Sequence, residues 1–220
     1  MSTVLVLAAH PDDEVLGVGA TLARHVREGD AVHAVVFAEG ASSRYREGLA
    51  EELSKSARRA AQVLGLASLE LWSLPDQRLD TLPLIEVVQR VETVVDGLRP
   101  DLVYTHFPGD VNTDHGVVAR AAWTACRPYV LPSLRRFAVF ETPSSTEWGW
   151  SAERPFSPSL YVDVTRTLDD KLGAMSCYET ELRDPPHPRS LHALRERAAY
   201  WGSRVGRPAV EPFQVLREVL

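Results

Sequence analysis

Apolar and polar positions along this chain fall into blocks that alternate between a strand-like and a helix-like pattern. The runs Thr3–Ala9, Ala31–Ala38 and Asp101–Thr105 are short, nearly continuous in apolar residues and rich in Val and Leu, which predicts strands buried on both faces. A shorter strand is predicted over Leu69–Trp72. Between these runs, residues 15–28, 47–65 and 84–98 repeat their apolar positions with helical period. In the second of them Leu49, Leu53, Ala57, Ala60 and Val63-Leu64 form the stripe. Gly29-Asp30 and Arg99-Pro100 supply stop signals for the first and third helices. Gly17 and Gly19 lower the helix propensity of the first, and such small residues permit close packing on a sheet or close approach of a ligand.

Strands and helices joined by short connections predict βαβ units and a mostly parallel sheet. A fourth helix is expected over 116–126. Beyond it, strands are expected at Arg136–Glu141 and Leu160–Val164, helices at 168–182 and 191–202, and an extended segment at 209–216. The fold class is therefore α/β, a Rossmann-like three-layer αβα arrangement in a single domain over 1–220. Residues 1–128 form its parallel core, and a C-terminal α+β extension over 129–220 completes the substrate site.

In such a sheet the loops that follow successive strands share one rim, where ligands and catalytic groups collect. His10-Pro11-Asp12-Asp13-Glu14 follows the first strand and Arg44 lies in the polar loop after the second. Asp76 and Arg78 follow the third. The fourth opens into His106 and, further on, Asn112-Thr113-Asp114-His115. Capping or a helix dipole explains one or two of the first acids but not the adjacent His10. Three carboxylates placed together repel one another unless a cation compensates them. A catalytic zinc takes three protein ligands and keeps one position open; His10 and Asp13 offer two, and His115 is the leading third. Two nitrogens and one carboxylate leave iron or cobalt open as the ion. A late, proline-braced loop, Pro185–Ser190, presents His187 and Arg189. His33 reads as a core histidine, and the Trp148/Trp150 pair as core or subunit contact ahead of a stacking platform for a sugar.

The formal net charge of −6 argues against nucleic acid as the main partner. Cys126 and Cys177 are too few and too isolated for a disulfide framework, and read as buried free thiols in a reducing compartment. The first apolar run is too short for a signal or a membrane span, so a cytoplasmic protein is expected. His-Pro-Asp-Asp stands where a dehydrogenase carries its glycine-rich phosphate loop, and no G-x-S-x-G is present for a serine hydrolase.

His10-Pro11-Asp12-Asp13-Glu14 with Leu16-Gly17 and Gly19, the stretch Pro75–Asp80, and Gly109–His115 together resemble the PIG-L/LmbE-like zinc N-deacetylases. Ser144–Trp148 and Pro186–Ser190 resemble a bacterial subgroup, so the similarity spans nearly the whole chain. The resemblance implies that His10, Asp13 and His115 bind one zinc, that Asp12 is the general base, and that Arg44 and Asp76 bind substrate hydroxyls. Arg78 and Arg189 join these as candidate substrate-binding residues. Many relatives carry a histidine where this chain has Asn112, and that histidine helps to stabilise the oxyanion. Asn112 donates here instead, or another imidazole serves: His187 first, in cis or in trans, and His106 second. The implied activity is removal of acetate from an N-acetylated amino sugar, a small-molecule substrate. A non-catalytic sugar- or nucleotide-binding protein on the same scaffold is the alternative, discriminated by metal content. Late aromatic segments that would face a neighbour leave homo-oligomerisation open.

Overall fold

A computed structural model of the chain describes residues 1–41, 48–149 and 155–220. Among these residues seven strands form one sheet: β1 (Thr3–Ala8), β2 (Ala31–Ala38), β3 (Ser68–Leu74), β4 (Leu102–His106), β5 (Arg136–Phe140), β6 (Leu160–Asp163) and β7 (Val210–Glu218). Their order is β3-β2-β1-β4-β5-β7-β6. The first five pair in parallel, while β7 runs antiparallel between β5 and β6. The mostly parallel α/β sheet expected from the sequence is therefore present. The terminal extended segment is an interior strand of it.

Among the described residues six α-helices flank the sheet: α1 (Asp13–Arg27), α2 (Leu49–Leu64), α3 (Leu84–Leu98), α4 (Thr113–Ala125), α5 (Leu168–Met175) and α6 (Leu191–Ser203). Two apolar clusters divide the molecule into layers. Val4, Val6, Ala34, Tyr104 and Phe213 point into the cluster holding α1, α2, α5 and α6. Leu5, Leu7, Val35, Val103 and Val139 point to the other face, against α3 and α4. Alternation along the central strands β1, β4 and β5, with both faces apolar, is what a sheet covered on both sides requires. Among the described residues, no helix is long and apolar enough to cross a membrane.

Several boundaries shift in ways that matter for the rim. Helix α1 begins at Asp13 rather than at residue 15, so Asp13 and Glu14 occupy its first turn, where an acid complements the helix dipole. Helix α4 begins at Thr113 rather than 116, capped by the Asn112 side chain, which places Asp114 and His115 on a helix. Helix α5 ends at Met175, well short of residue 182. Gly17 is explained by the sheet: a Cβ there would meet the Phe140 ring at 2.1 Å, so the helix lies closer to β5 than any other residue permits. His33 is half-exposed and satisfied by the Ser68 hydroxyl at 2.8 Å, not core. Cys126 is buried as expected, whereas Cys177 is partly exposed.

Candidate metal centre

Strands β2 and β3 extend the sheet to one side of β1, and β4 and β5 to the other. The strand order therefore reverses between β1 and β4, and a crevice opens at their carboxyl ends. The turn after β1 fills it from one side and the start of α4 from the other. The Ala9 N–H donates to His106 Nε2 at 2.9 Å and the His10 N–H to Asp13 Oδ2 at 2.9 Å, which ties the turn to β4 and to α1.

Asp13 Oδ2 is the centre of the cluster. It lies 3.1 Å from His10 Nδ1 and 3.2 Å from His115 Nε2. Ligand atoms of His10, Asp13 and His115 all fall within 4.8 Å of one another, and all three residues are buried. Each imidazole turns its far nitrogen to a second carboxylate: His10 Nε2 to Asp114 Oδ2 at 3.2 Å, and His115 Nδ1 to Asp110 Oδ2 at 3.1 Å. That is the outer arrangement that orients histidines on a metal. Asp114 is itself held by the Leu79 N–H at 3.0 Å, and Asp110 by Ser145 and Thr146 hydroxyls.

Whether these residues suit a metal is decided by His115. Both its nitrogens lie within ion-pair distance of a carboxylate, yet among the described residues neither makes an aligned hydrogen bond, although the ring is only 2 % exposed. Buried polar atoms are normally paired, and an orphaned imidazole nitrogen facing a carboxylate and a second imidazole is a ligand position. The donor set fits a divalent ion.

Electrostatics agree. Burial alone would lower the pKa of His10, but Asp114 and Asp13 outweigh it and lift it to about 10. His115 is likewise lifted to about 9, with Asp13 and Asp110 overcoming desolvation. Asp13 is held well below the usual carboxylate range, since the imidazoles, His115 foremost, override its burial. In the metal-free protein both histidines therefore carry protons that an entering cation must expel. Their charge stabilises the metal-free fold fully below the unfolded pKa of 6.5, and that contribution is lost as pH rises through about 9 to 10. Metal binding at pH 7 is expected to release protons, and affinity to rise with pH. Calorimetric titration in buffers of differing ionisation enthalpy measures this; a buffer-independent heat would contradict it.

Asp12 differs from Asp13 in backbone conformation and in surroundings. Its backbone sits at φ 111° and ψ −28°, a left-handed conformation that costs a non-glycine residue of order 1–3 kcal/mol. It is absent from the ligand cluster and faces the cavity. Burial pushes its carboxyl well above the usual range, partly offset by the Arg189 guanidinium. Arg189 Nη1 stands 3.4 Å from Asp12 Oδ2 and 2.7 Å from Glu181 Oε2, while its Nε donates to Ser144 Oγ at 2.7 Å. The cavity in front measures about 470 Å³, and Asp12, Asp76, Asn112, Ser144, Trp148 and Arg189 are among its lining residues. A neighbouring apolar groove of about 610 Å³ shares Asn112 and Thr113 with it but holds no histidine, so the chemistry belongs to the polar cavity.

The other residues named from the sequence lie as follows. His106 is completely buried behind His115, its ring stacked at 3.9 Å. Its Nε2 is taken by the Ala9 N–H and its Nδ1 by Thr142, and burial with the His115 charge pushes its pKa down to about 3. It lies behind the cavity and is not among its lining residues. His187 does not line the cavity; its Nδ1 accepts the Arg189 N–H at 3.1 Å and its ring sits edge-on to Trp148. From that loop Arg189, not His187, reaches Asp12. Arg78 is exposed and outside the cavity, whereas Gln77 lines it and lies 3.2 Å from His10 Nε2. Asp76 lines the cavity but also stands 3.4 Å from His10 Nε2. Trp148 is a cavity wall rather than core; Arg44 and Trp150 lie outside the described residues. Sequence reasoning missed Asp110, Gln77 and Glu181, which carry no spacing signal, because each is brought in by a turn.

Comparison with known proteins adds the following. A family model described as PIG-L, GlcNAc-PI de-N-acetylase, matches residues 5–126. An uncharacterised deacetylase of Escherichia coli K12, YaiS, is 31% identical over 166 residues, covering 73% of this chain and 81% of that protein. The N,N'-diacetylchitobiose deacetylase of Pyrococcus horikoshii superposes with a TM-score of 0.79 at 21% identity, covering 98% of this chain and 84% of that one. The 4-carboxy-2-hydroxymuconate hydratase GalB of Pseudomonas putida KT2440 does so with a TM-score of 0.78 at 22% identity, covering 100% and 98%. Those two likenesses concern the fold, which carries more than one reaction.

Proposed function

This chain belongs to the PIG-L family, and from that premise we propose that it is a zinc-dependent hydrolase that removes the acetyl group from an N-acetylated amino sugar. One observation carries the reading: the cluster His10–Asp13–His115 offers ligands for one ion, while Asp12, next in sequence, stays outside it and faces the cavity. A binding protein has no need of an unligated acid held in a costly backbone conformation beside a metal site.

His10, Asp13 and His115 would hold zinc. When bound, the ion supplies Lewis acidity, polarising the amide carbonyl and lowering the pKa of a water. Asp12 would take a proton from the attacking water and return it to the leaving nitrogen, so that amide and water become amine and acetate. Arg189 stands beside Asp12 and favours its ionised form before the attack. Asn112 uses its Oδ1 to cap α4, which leaves the amide nitrogen to donate to the developing oxyanion from the cavity wall. His106, neutral and fixed by Thr142, holds the turn of Ala9 and His10 in place. Trp148 at the cavity mouth offers a ring for the apolar face of a sugar, and Asp76, Ser144 and Gln77 offer partners for its hydroxyls.

The experiment is a screen of N-acetylated sugars for free amine and acetate, with metal-stripped and zinc-restored protein. Acetate release that disappears on stripping and returns with zinc is expected. Full activity without metal, or a hydration product with no acetate released, would overturn the reading.

A further inference from the structure

The left-handed backbone of Asp12 needs something to hold it, and the proposed reaction does not by itself provide it. We propose that Glu14 and Tyr178 form a clamp that fixes Asp12 in this conformation and aims its carboxylate, making both positioning residues for the reaction; the inference rests on the role of Asp12 given above. Glu14 lies in the first turn of α1, two residues beyond Asp12. Its Oε2 accepts the Asp12 N–H at 3.2 Å, and its Oε1 accepts the Tyr178 hydroxyl at 2.5 Å. One carboxylate thus joins the backbone of the base to a side chain 164 residues later in the sequence.

Neither residue is needed there for simpler reasons. Complementing the helix dipole does not require burial, yet Glu14 is 2 % exposed, and burying a carboxylate is costly unless it is hydrogen-bonded. Phenylalanine would fill the space of the fully buried Tyr178 ring; only the hydroxyl requires a partner. The body of α1 is fastened independently. Lys171 Nζ donates to the Leu16 carbonyl at 2.8 Å, and Glu211 accepts from the Thr21 N–H at 2.7 Å and pairs with Lys171. Loss of the Tyr178 hydroxyl therefore leaves the helix seated and frees only the Glu14 carboxylate to turn. The Asp12 carbonyl keeps the bonds it accepts from the Val15 and Leu16 N–H groups at 3.0 and 2.8 Å, but its N–H loses its partner, and the residue relaxes out of the left-handed region by rotation of the Pro11–Asp12 peptide.

Tyr178→Phe is expected to lower kcat for acetate release by roughly 10- to 100-fold, the scale of a small misplacement of a reacting group. KM and bound zinc stay at wild-type values, and a crystal structure of the variant shows Asp12 with negative φ. Glu14→Gln, which keeps one acceptor oxygen, retains activity between the two. A kcat within two-fold of wild type in Tyr178→Phe, or Asp12 unmoved in its structure, overturns the clamp. A fall in kcat that comes with lost zinc or a raised KM overturns it as well, since that is a general structural defect. If the wild-type protein releases acetate from no N-acetylated sugar, the proposed function fails, while the conformation of Asp12 in Tyr178→Phe still decides the clamp.

Discussion

Asp12→Asn is expected to lower acetate release by about 10³-fold, which is about 4 kcal/mol of transition-state stabilisation, while leaving metal content and melting temperature close to wild type. Asparagine is the informative replacement. It matches the shape of the carboxylate and, like aspartate, tolerates positive φ better than other side chains, so the backbone at φ 111° is retained. What it cannot do is accept the proton of an attacking water and return it. Asp12 is not among the residues whose ligand atoms converge on Asp13 Oδ2, so the ion is expected to remain bound. Steady-state kinetics alongside elemental analysis of the same preparation check both halves. Activity within ten-fold of wild type would remove Asp12 from the proton transfer.

The second large effect is expected at the other end of the cluster. His115→Ala removes the buried imidazole whose nitrogens face Asp13 and Asp110 without an aligned hydrogen bond among the described residues. Two of the three ligands remain, both from one turn, and two ligands do not make a closed set for a divalent ion. Metal occupancy after dialysis is expected to fall to a small fraction of wild type, and activity by at least about 10³-fold, in line with the loss of the ion's charge stabilisation. Excess zinc restores part of the occupancy but little of the rate, because the remaining ligands no longer fix the ion against Asp12. A variant that keeps full metal content would show that the ion is held elsewhere, with His10, Asp76 and Asp114 as the competing buried set.

The two substitutions separate roles that adjoining aspartates obscure. Asp12 and Asp13 are neighbours with the same side chain, yet one is pushed well above the carboxylate range and the other held well below it. The cause is where each points: Asp13 into three imidazoles, Asp12 into a buried pocket shared with Glu181 and Arg189. Opposed environments for paired titratable groups are how one site provides both a ligand and a base.

The apolar runs of this chain determined the strands, their burial and their parallel pairing, because a strand with no polar face has to be covered on both sides. The turn His10–Glu14 and the pair Asp114-His115 were legible for a related reason. Their residue types are costly to bury uncompensated, and the order of elements sends both to one rim. What lay beyond the sequence was everything set by direction rather than by position. Arg189 rather than His187 enters the cavity because the His187 ring is turned to accept the Arg189 N–H. His106 stands behind the site because β4 buries it against β1. Gln77 displaces Arg78 through a single residue of positive φ in a turn. Tyr178 meets Glu14 only because α5 stops at Met175 and the following turn folds back over α1. Side-chain aim depends on local φ/ψ and on contacts between segments more than a hundred residues apart, and periodicity carries neither.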